Sequence, residues 1–477
     1  MPSRHRIAPL LTSLALLLLS GCAHYRAKPI DAASTNQAFS ARRLEDPALR
    51  AFVEAKAEDR PETWPPPAWD VRALTLAAFY FQPDLDVARA RWSVARGGRA
   101  TAGERPNPSL AASAGYDTTT KTPSPWIPFV GFDIPIETAG KRGHRVATAS
   151  HLSEAARLDL ASTAWGVRRR VRAGLVDLWA ADEEKALREE QQARQQDNVR
   201  LLKLQREAGA ISGFELVQAR LAADASRLAL RDAERRRAEA RVRLAEAVGV
   251  PVEALEAVSL SFEGLDTAPP EAALAEARSR ALRSRTDILS ALASYAATQS
   301  ALQLEIAKQY PDIHLGPAYE YDQGDDKWTL GVGLTLPLFN RNRGKVAEAE
   351  ARRDEAAASF IALQARVLSE IDQALAGYRA ALWQQNDAEE LVATLRREEE
   401  TARAIFELGE ISRSDLVALR LQLGATSLAR LDALVRSRQA LGVLEDALQS
   451  PLPASIEAWQ SPPRSTAARP LDEARTQ

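Results

Sequence analysis

Trp328-Thr329-Leu330-Gly331-Val332-Gly333-Leu334-Thr335-Leu336-Pro337-Leu338 alternates throughout: Trp328, Leu330, Val332, Leu334, Leu336 and Leu338 share one face, and Thr329, Gly331, Gly333, Thr335 and Pro337 the other. Successive side chains of an extended chain point to opposite sides, so the run presents one apolar face and one small or polar face. Lipid outside and water inside would suit that pair of faces. About 200 residues earlier the pattern is already present, with Trp126, Val130, Phe132, Ile134 and Ile136 on one face and Gly131 and Asp133 on the other. Each run has an incoming partner. Leu110, Ala112, Ala114 and Tyr116 oppose Ser113 and Asp117, while Ile313, Leu315, Tyr319 and Tyr321 oppose His314, Gly316 and Glu320. All four approach the ~10 residues that a tilted strand needs to cross a bilayer. Trp126, Trp328, Tyr116 and Tyr319 fall near the hairpin ends, where amphipathic rings favour the membrane interface.

The sequence offers these strands and no others, too few for a soluble sandwich core and too few to close a barrel. An open sheet edge cannot face lipid, because each unsatisfied backbone group costs several kcal/mol there. The strands must therefore join those of other subunits, and the chain is expected to oligomerise.

Between the strand pairs the sequence changes period, and the whole plan is written twice. Asp84 and Pro108 return as Asp287 and Pro311, and Val130-Gly131-Phe132-Asp133-Ile134-Pro135-Ile136 returns as Val332-Gly333-Leu334-Thr335-Leu336-Pro337-Leu338. Gly209-Ala210-Ile211-Ser212 with Glu215-Leu216-Val217 returns as Gly409-Glu410-Ile411-Ser412 with Asp415-Leu416-Val417. From Thr138 to Gln205, and again from Asn340 to Leu408, the sequence favours helix without a proline. A helix of that span reaches about 100 Å. In the second copy Ile361, Leu368, Leu375 and Leu382 recur every seven residues with Ile371 and Tyr378 interleaved, which is coiled-coil spacing. Each helix is expected to turn near Gly209 or Gly409 and return toward Val248 or Leu448.

Arg4, His5 and Arg6 precede an apolar run from Ile7 to Leu19, too short to span a bilayer, which reads as an export signal over residues 1–21. Leu19-Ser20-Gly21-Cys22 resembles the bacterial lipobox, so Cys22, the sole cysteine, is expected to carry covalent lipid. Ala23 lacks the Asp that retains such lipoproteins at the inner membrane. Residues 22–70, with Pro61, Pro65, Pro66 and Pro67, read as an extended lipid-anchored tether. The two repeats occupy 71–255 and 256–451, and the proline-bearing tail 452–477 reads as disordered.

Lipobox, duplicated strand pair, long hairpins and glycine turns together resemble the outer-membrane factors of TolC type, over roughly Val71 to Pro451. The resemblance implies a mainly α fold with a membrane β portion: four strands and two helical hairpins per chain. A homotrimer would then form a twelve-stranded barrel continued by a periplasmic helical tunnel. It also implies docking on a periplasmic adaptor (membrane fusion protein), linked to an inner-membrane pump of the resistance-nodulation-division class, with no catalytic site. Ile134-Pro135-Ile136 followed by Ala139-Gly140-Lys141-Arg142-Gly143, and Leu336-Pro337-Leu338-Phe339-Asn340-Arg341-Asn342-Arg343-Gly344, look most like the CzcC-type cation-efflux branch. Export of lipophilic drugs is the second reading within this family. Family tips carry a glycine that meets the adaptor, here Gly209 and Gly409, and six residues on an acid near the closed end, here Glu215 and Asp415. Where some members carry a second acid this chain has Ala418, which weakens any selectivity filter. Asp415 has a plainer reading as an acid in the first turn of a helix.

The rival from another class is a structural coiled-coil lipoprotein bridging envelope layers. A net charge of −2 argues against nucleic acid, and no Walker loop, zinc-protease helix or nucleophile elbow occurs, so no enzyme activity is expected. His144 and His151 are about 10 Å apart along one helix, too far to share a metal ion. Glu320, Asp322, Asp325 and Asp326 read as an ordinary polar turn.

Overall fold

The computed structural model describes residues 25–56, 63–118, 124–265 and 271–450. The export signal, Cys22 and the tail fall outside the described residues. Two compact units divide the chain, residues 1–43 and 44–477. In the first, helix α1 (Ala32–Ser40) starts at Asp31, whose carboxylate accepts the Ser34 N–H at 2.8 Å.

The second unit begins with α2 (Pro47–Lys56), opened by Asp46 accepting from Ala48 N at 2.8 Å, and α3 (Val71–Phe81), capped in the same way by Asp70. The extended-tether expectation is thus corrected: much of residues 22–70 is helical, and Leu44, Leu49, Val53 and Trp69 are buried in the core. The prolines on which that reading leaned cluster after α2 and do not interrupt it.

The remaining elements follow one plan twice. First come α4 (Pro83–Ala102), β1 (Ser109–Tyr116), β2 (Trp126–Ile136), α5 (Lys141–Glu207), α6 (Gly213–Val248) and the short α7 (Val252–Glu256). Then come α8 (Glu271–Ser284), α9 (Thr286–Ala307), β3 (Ile313–Asp322), β4 (Asp325–Leu334), α10 (Arg343–Glu407) and α11 (Arg413–Leu448). The four strands form one antiparallel sheet in the order β1-β2-β3-β4. Strand β4 ends at Leu334, although its alternation continues to Leu338. The reason is the partner: β3 begins at Ile313, which pairs with Leu334, and leaves nothing to hydrogen-bond Thr335 onward.

Two hydrophobic cores stabilise the helices. One packs α2, α3 and α4 onto α5, α6 and α7 around Trp69, Leu74, Leu85, Leu175 and Leu244. The other joins α8 and the start of α9 to α10 and α11 around Ile288, Ile371, Tyr378 and Leu444. The buried seam of α10 runs Val367, Ile371, Ala374, Tyr378 and Ala381, an alternating four-three spacing. Leu375 and Leu382 flank it, whereas Ile361, expected in the stripe, is 64% exposed. The expected stripe is displaced because two seam positions are alanines, which a search for large apolar residues passes over.

Candidate functional site

The sheet register brings the apolar positions of all four strands to one face. Ala112 opposes Val130, Val130 opposes Tyr319, and Tyr319 opposes Trp328. Ile134, Leu315 and Val332 form a second such row. The other face carries Ala111, Gly131, Ala318 and Thr329, with Asp133 beside His314 at 3.0 Å. Leu330, Val332 and Leu334 are more than half exposed, and among the described residues no strand pairs with the outer edge of β1 or of β4. The four expected interface aromatics form two direct cross-strand pairs. Tyr116 meets Trp126 edge-on with ring centroids 5.1 Å apart, and Tyr319 meets Trp328 at 4.9 Å.

Beneath the sheet, the two junction motifs prove to be anchors. Lys141, only 6% exposed, donates to the Tyr310 carbonyl and to Asp312 at 2.7 Å each. At the matching place Asn342 donates to the carbonyl and carboxylate of Glu305 at 2.8 and 2.9 Å. Lys141 holds the connection between α9 and β3 and Asn342 holds the last turn of α9, so the two strand-to-helix turns are tied to neighbouring stretches of chain.

At the far end, Gly209 and Gly409 take φ of 72° and 78°, the left-handed conformation that glycine adopts without a Cβ penalty. Three residues on, Ser212 and Ser412 cap the returning helices. Asp415 completes a reciprocal capping box: its N–H donates to Ser412 Oγ at 3.2 Å, and its carboxylate accepts from Ser412 N at 3.1 Å and Oγ at 2.7 Å. The Ser412 hydroxyl and backbone N–H hold the Asp415 carboxyl below its usual range. Glu215 accepts from the Ser212 hydroxyl at 3.1 Å. The two tips lie side by side, since Gln205 reaches Ser414 at 3.3 Å and Arg194 donates to the Arg420 carbonyl at 2.7 Å.

Sequence reasoning missed a buried charge cluster that joins the repeats. Arg168 and Arg172 of α5 meet Glu445 of α11 at 3.0 and 3.3 Å, and Arg172 also donates to the Arg438 carbonyl at 2.9 Å. The Arg438 guanidinium stacks on Trp179 at 3.4 Å. Next to it Asp446 contacts Arg169 at 3.2 Å, and burial pushes its carboxyl up to about 6. Arginines abound in these helices, so nothing local distinguishes the buried ones from the many exposed ones.

A membrane-type sheet set on two long helical hairpins defines a channel protein. The outer membrane efflux protein family matches over residues 81–250 and 277–448, one stretch in each repeat, and the chain belongs to that family. It is 25% identical over 292 residues to the cobalt-zinc-cadmium resistance protein CzcC of Cupriavidus metallidurans, covering 61% of this chain and 68% of that protein. It is 27% identical over 261 residues to the pyoverdine export outer membrane protein OpmQ of Pseudomonas putida, covering 51% of this chain and 54% of that one. Its fold matches the outer membrane protein VceC of Vibrio cholerae with a TM-score of 0.64 at 21% identity, covering 79% and 95% of the two chains. The chain is therefore a non-enzymatic outer-membrane efflux channel with a helical tunnel on its periplasmic side, and the structural-lipoprotein rival falls away.

Proposed function

We propose that this chain is the lipid-anchored, trimeric outer-membrane duct of a tripartite pump that expels divalent heavy-metal cations. The observation that carries the trimeric duct is the sheet itself: an apolar face continuous across four strands, with both edges lacking partners. Edges of that kind are tolerated in lipid only if other strands pair with them, and three copies supply twelve. The metal substrate is supported by the junction motifs and by similarity to a protein named for cobalt, zinc and cadmium resistance. Similarity to a pyoverdine exporter favours a second reading, export of larger organic molecules.

In the leading reading Cys22 carries the lipid anchor and the aromatic pairs mark the outer interface. Gly209 and Gly409 present the tips to a periplasmic adaptor, which couples them to a resistance-nodulation-division pump. Symmetry copies of Asp415 and Glu215 gather carboxylates at the tunnel's narrow end, favouring cations. Growth of a strain lacking the chain, challenged with divalent cations and with lipophilic or chelating compounds, tests the reading against the restored chain. Selective cation sensitivity is expected; selective sensitivity to organic compounds would transfer the proposal to the second reading.

A further inference from the structure

We propose that the cleft between the end of α4 and the start of α5 binds the phosphodiester headgroup of an anionic phospholipid in the inner leaflet of the outer membrane. The inference rests on the reading that the strands cross that membrane. The cleft has a volume of about 570 Å³ and is lined by Arg96, Arg99 and Arg142, with Glu104 as its one acid. Among the described residues no carboxylate forms an ion pair with any of the three arginines. Arg142 donates to the Gly103 carbonyl at 2.6 Å, and Arg96 lies over the Trp92 ring at 5.4 Å. Nearby arginines behave differently: Arg89 pairs with Asp86, Arg145 with Glu137 and Arg170 with Asp84. Three guanidinium groups against one acid leave the cleft with an excess of positive charge, and forked N–H donors match phosphate oxygens.

Position selects the ligand. Helix α4 ends at Ala102, shortly before β1, and α5 starts at Lys141, shortly after β2, so the cleft lies where the apolar sheet gives way to helix. Its outward direction follows from helical period. Arg96 and Arg99 stand eleven residues, about three turns, beyond Leu85 and Ala88, and Arg142 stands eighteen residues, about five turns, before Leu160. Leu85, Ala88 and Leu160 are buried where α4 packs on α5, in the core cluster that also takes in Leu49, Leu74 and Trp69. A duct must keep its inside open to water, so the covered face is the outer one. The three guanidinium groups continue that face up to the level of the headgroups, where basic side chains attract anionic lipid.

The full-length trimer, stripped of lipid in detergent and then offered phosphatidylglycerol or phosphatidylcholine, can be examined by native mass spectrometry for lipid retained. Wild type should prefer phosphatidylglycerol, and the variant R96Q/R99Q/R142Q should lose retention by about five-fold per guanidinium removed. Glu104→Gln should raise it, which keeps the test decisive if the triple variant fails to assemble. Equal retention of the two lipids by wild type, an unchanged triple variant that still forms trimers, or a Glu104→Gln variant that binds no more lipid would overturn the proposal. Inorganic phosphate displacing phosphatidylglycerol at equal concentration would point to a free-anion site and overturn the lipid source. A trimer that conducts but shows no lipid preference defeats this inference alone, whereas a chain that neither trimerises nor inserts defeats the channel reading.

Discussion

Asp415 has an observed role as a helix cap and a proposed one at the gate, which a single substitution confuses. Its carboxylate closes the capping box with Ser412, and in an assembled tunnel the same charge would face its symmetry copies. Because Ser412 holds the carboxyl below its usual range, the ionised form persists into acid and proton-driven neutralisation is disfavoured. We predict that Asp415→Ala leaves trimers intact but alters cation selectivity or leak in bilayer recordings. Asp415→Asn keeps the shape and removes the charge, so a change in both variants assigns the effect to charge. Unchanged conductance in both would remove the gate. Asp446 makes the opposite case. It titrates near 3.8 when unfolded and near 6 when folded, so between those values the folded chain binds more protons and stability falls as pH rises. Replacing it by Asn should flatten that slope in thermal melts and stabilise the chain at pH 7 by roughly 2–4 kcal/mol. Its partner Arg169 is 62% exposed and loses little. A slope identical to that of wild type would refute the assignment.

Strands and helices differ in how openly their sequences report them. Period-two alternation announced all four strands and the face each residue takes, because one face must be apolar along its whole length. Where β4 stops could not be read from β4, since a strand lasts only while a partner hydrogen-bonds it. The helix bounds were close, Lys141–Glu207 against an expected start at Thr138, but the α10 seam hides in alanines, and α1 and α2 were masked by the prolines that follow them. The face assignment leads to a direct test at this scale. Val332→Arg places a charge on the apolar face at mid-strand and should cost about 2–4 kcal/mol, with loss of the heat-resistant trimer on gels. Thr329→Arg on the other face should be tolerated. Equal behaviour of the two would mean that the sheet does not meet lipid.

Across the whole of the larger unit, the two repeats are held to one another by side chains that no motif contains. Glu445, with 4% of its side chain exposed, sits between Arg168 and Arg172 and joins α11 to α5. Removing one member of a buried ion pair strands the others, so Glu445→Ala should lower thermal stability by about 3–5 kcal/mol. Circular dichroism melts of the purified trimer would check this, and a loss below 1 kcal/mol would show that the cluster is solvated. The two tips lie side by side, but the residues that align them, Gln205 with Ser414 and Arg194 with Arg420, were not anticipated.

Periodicity and duplication, both local properties, were enough to specify a membrane sheet, two helical hairpins, their glycine turns and the need for further copies. Those features follow from backbone geometry and from the cost of an open edge in lipid, which any single stretch of chain already obeys. Pairings between residues far apart in sequence became visible only once the chain was folded: the strand register, the partners of the buried arginines, the displaced seam of α10 and the arginine-lined cleft between α4 and α5. Charge pairing depends on which helices are neighbours and on how deeply each side chain is buried, and neither distance nor burial is written in the order of the residues.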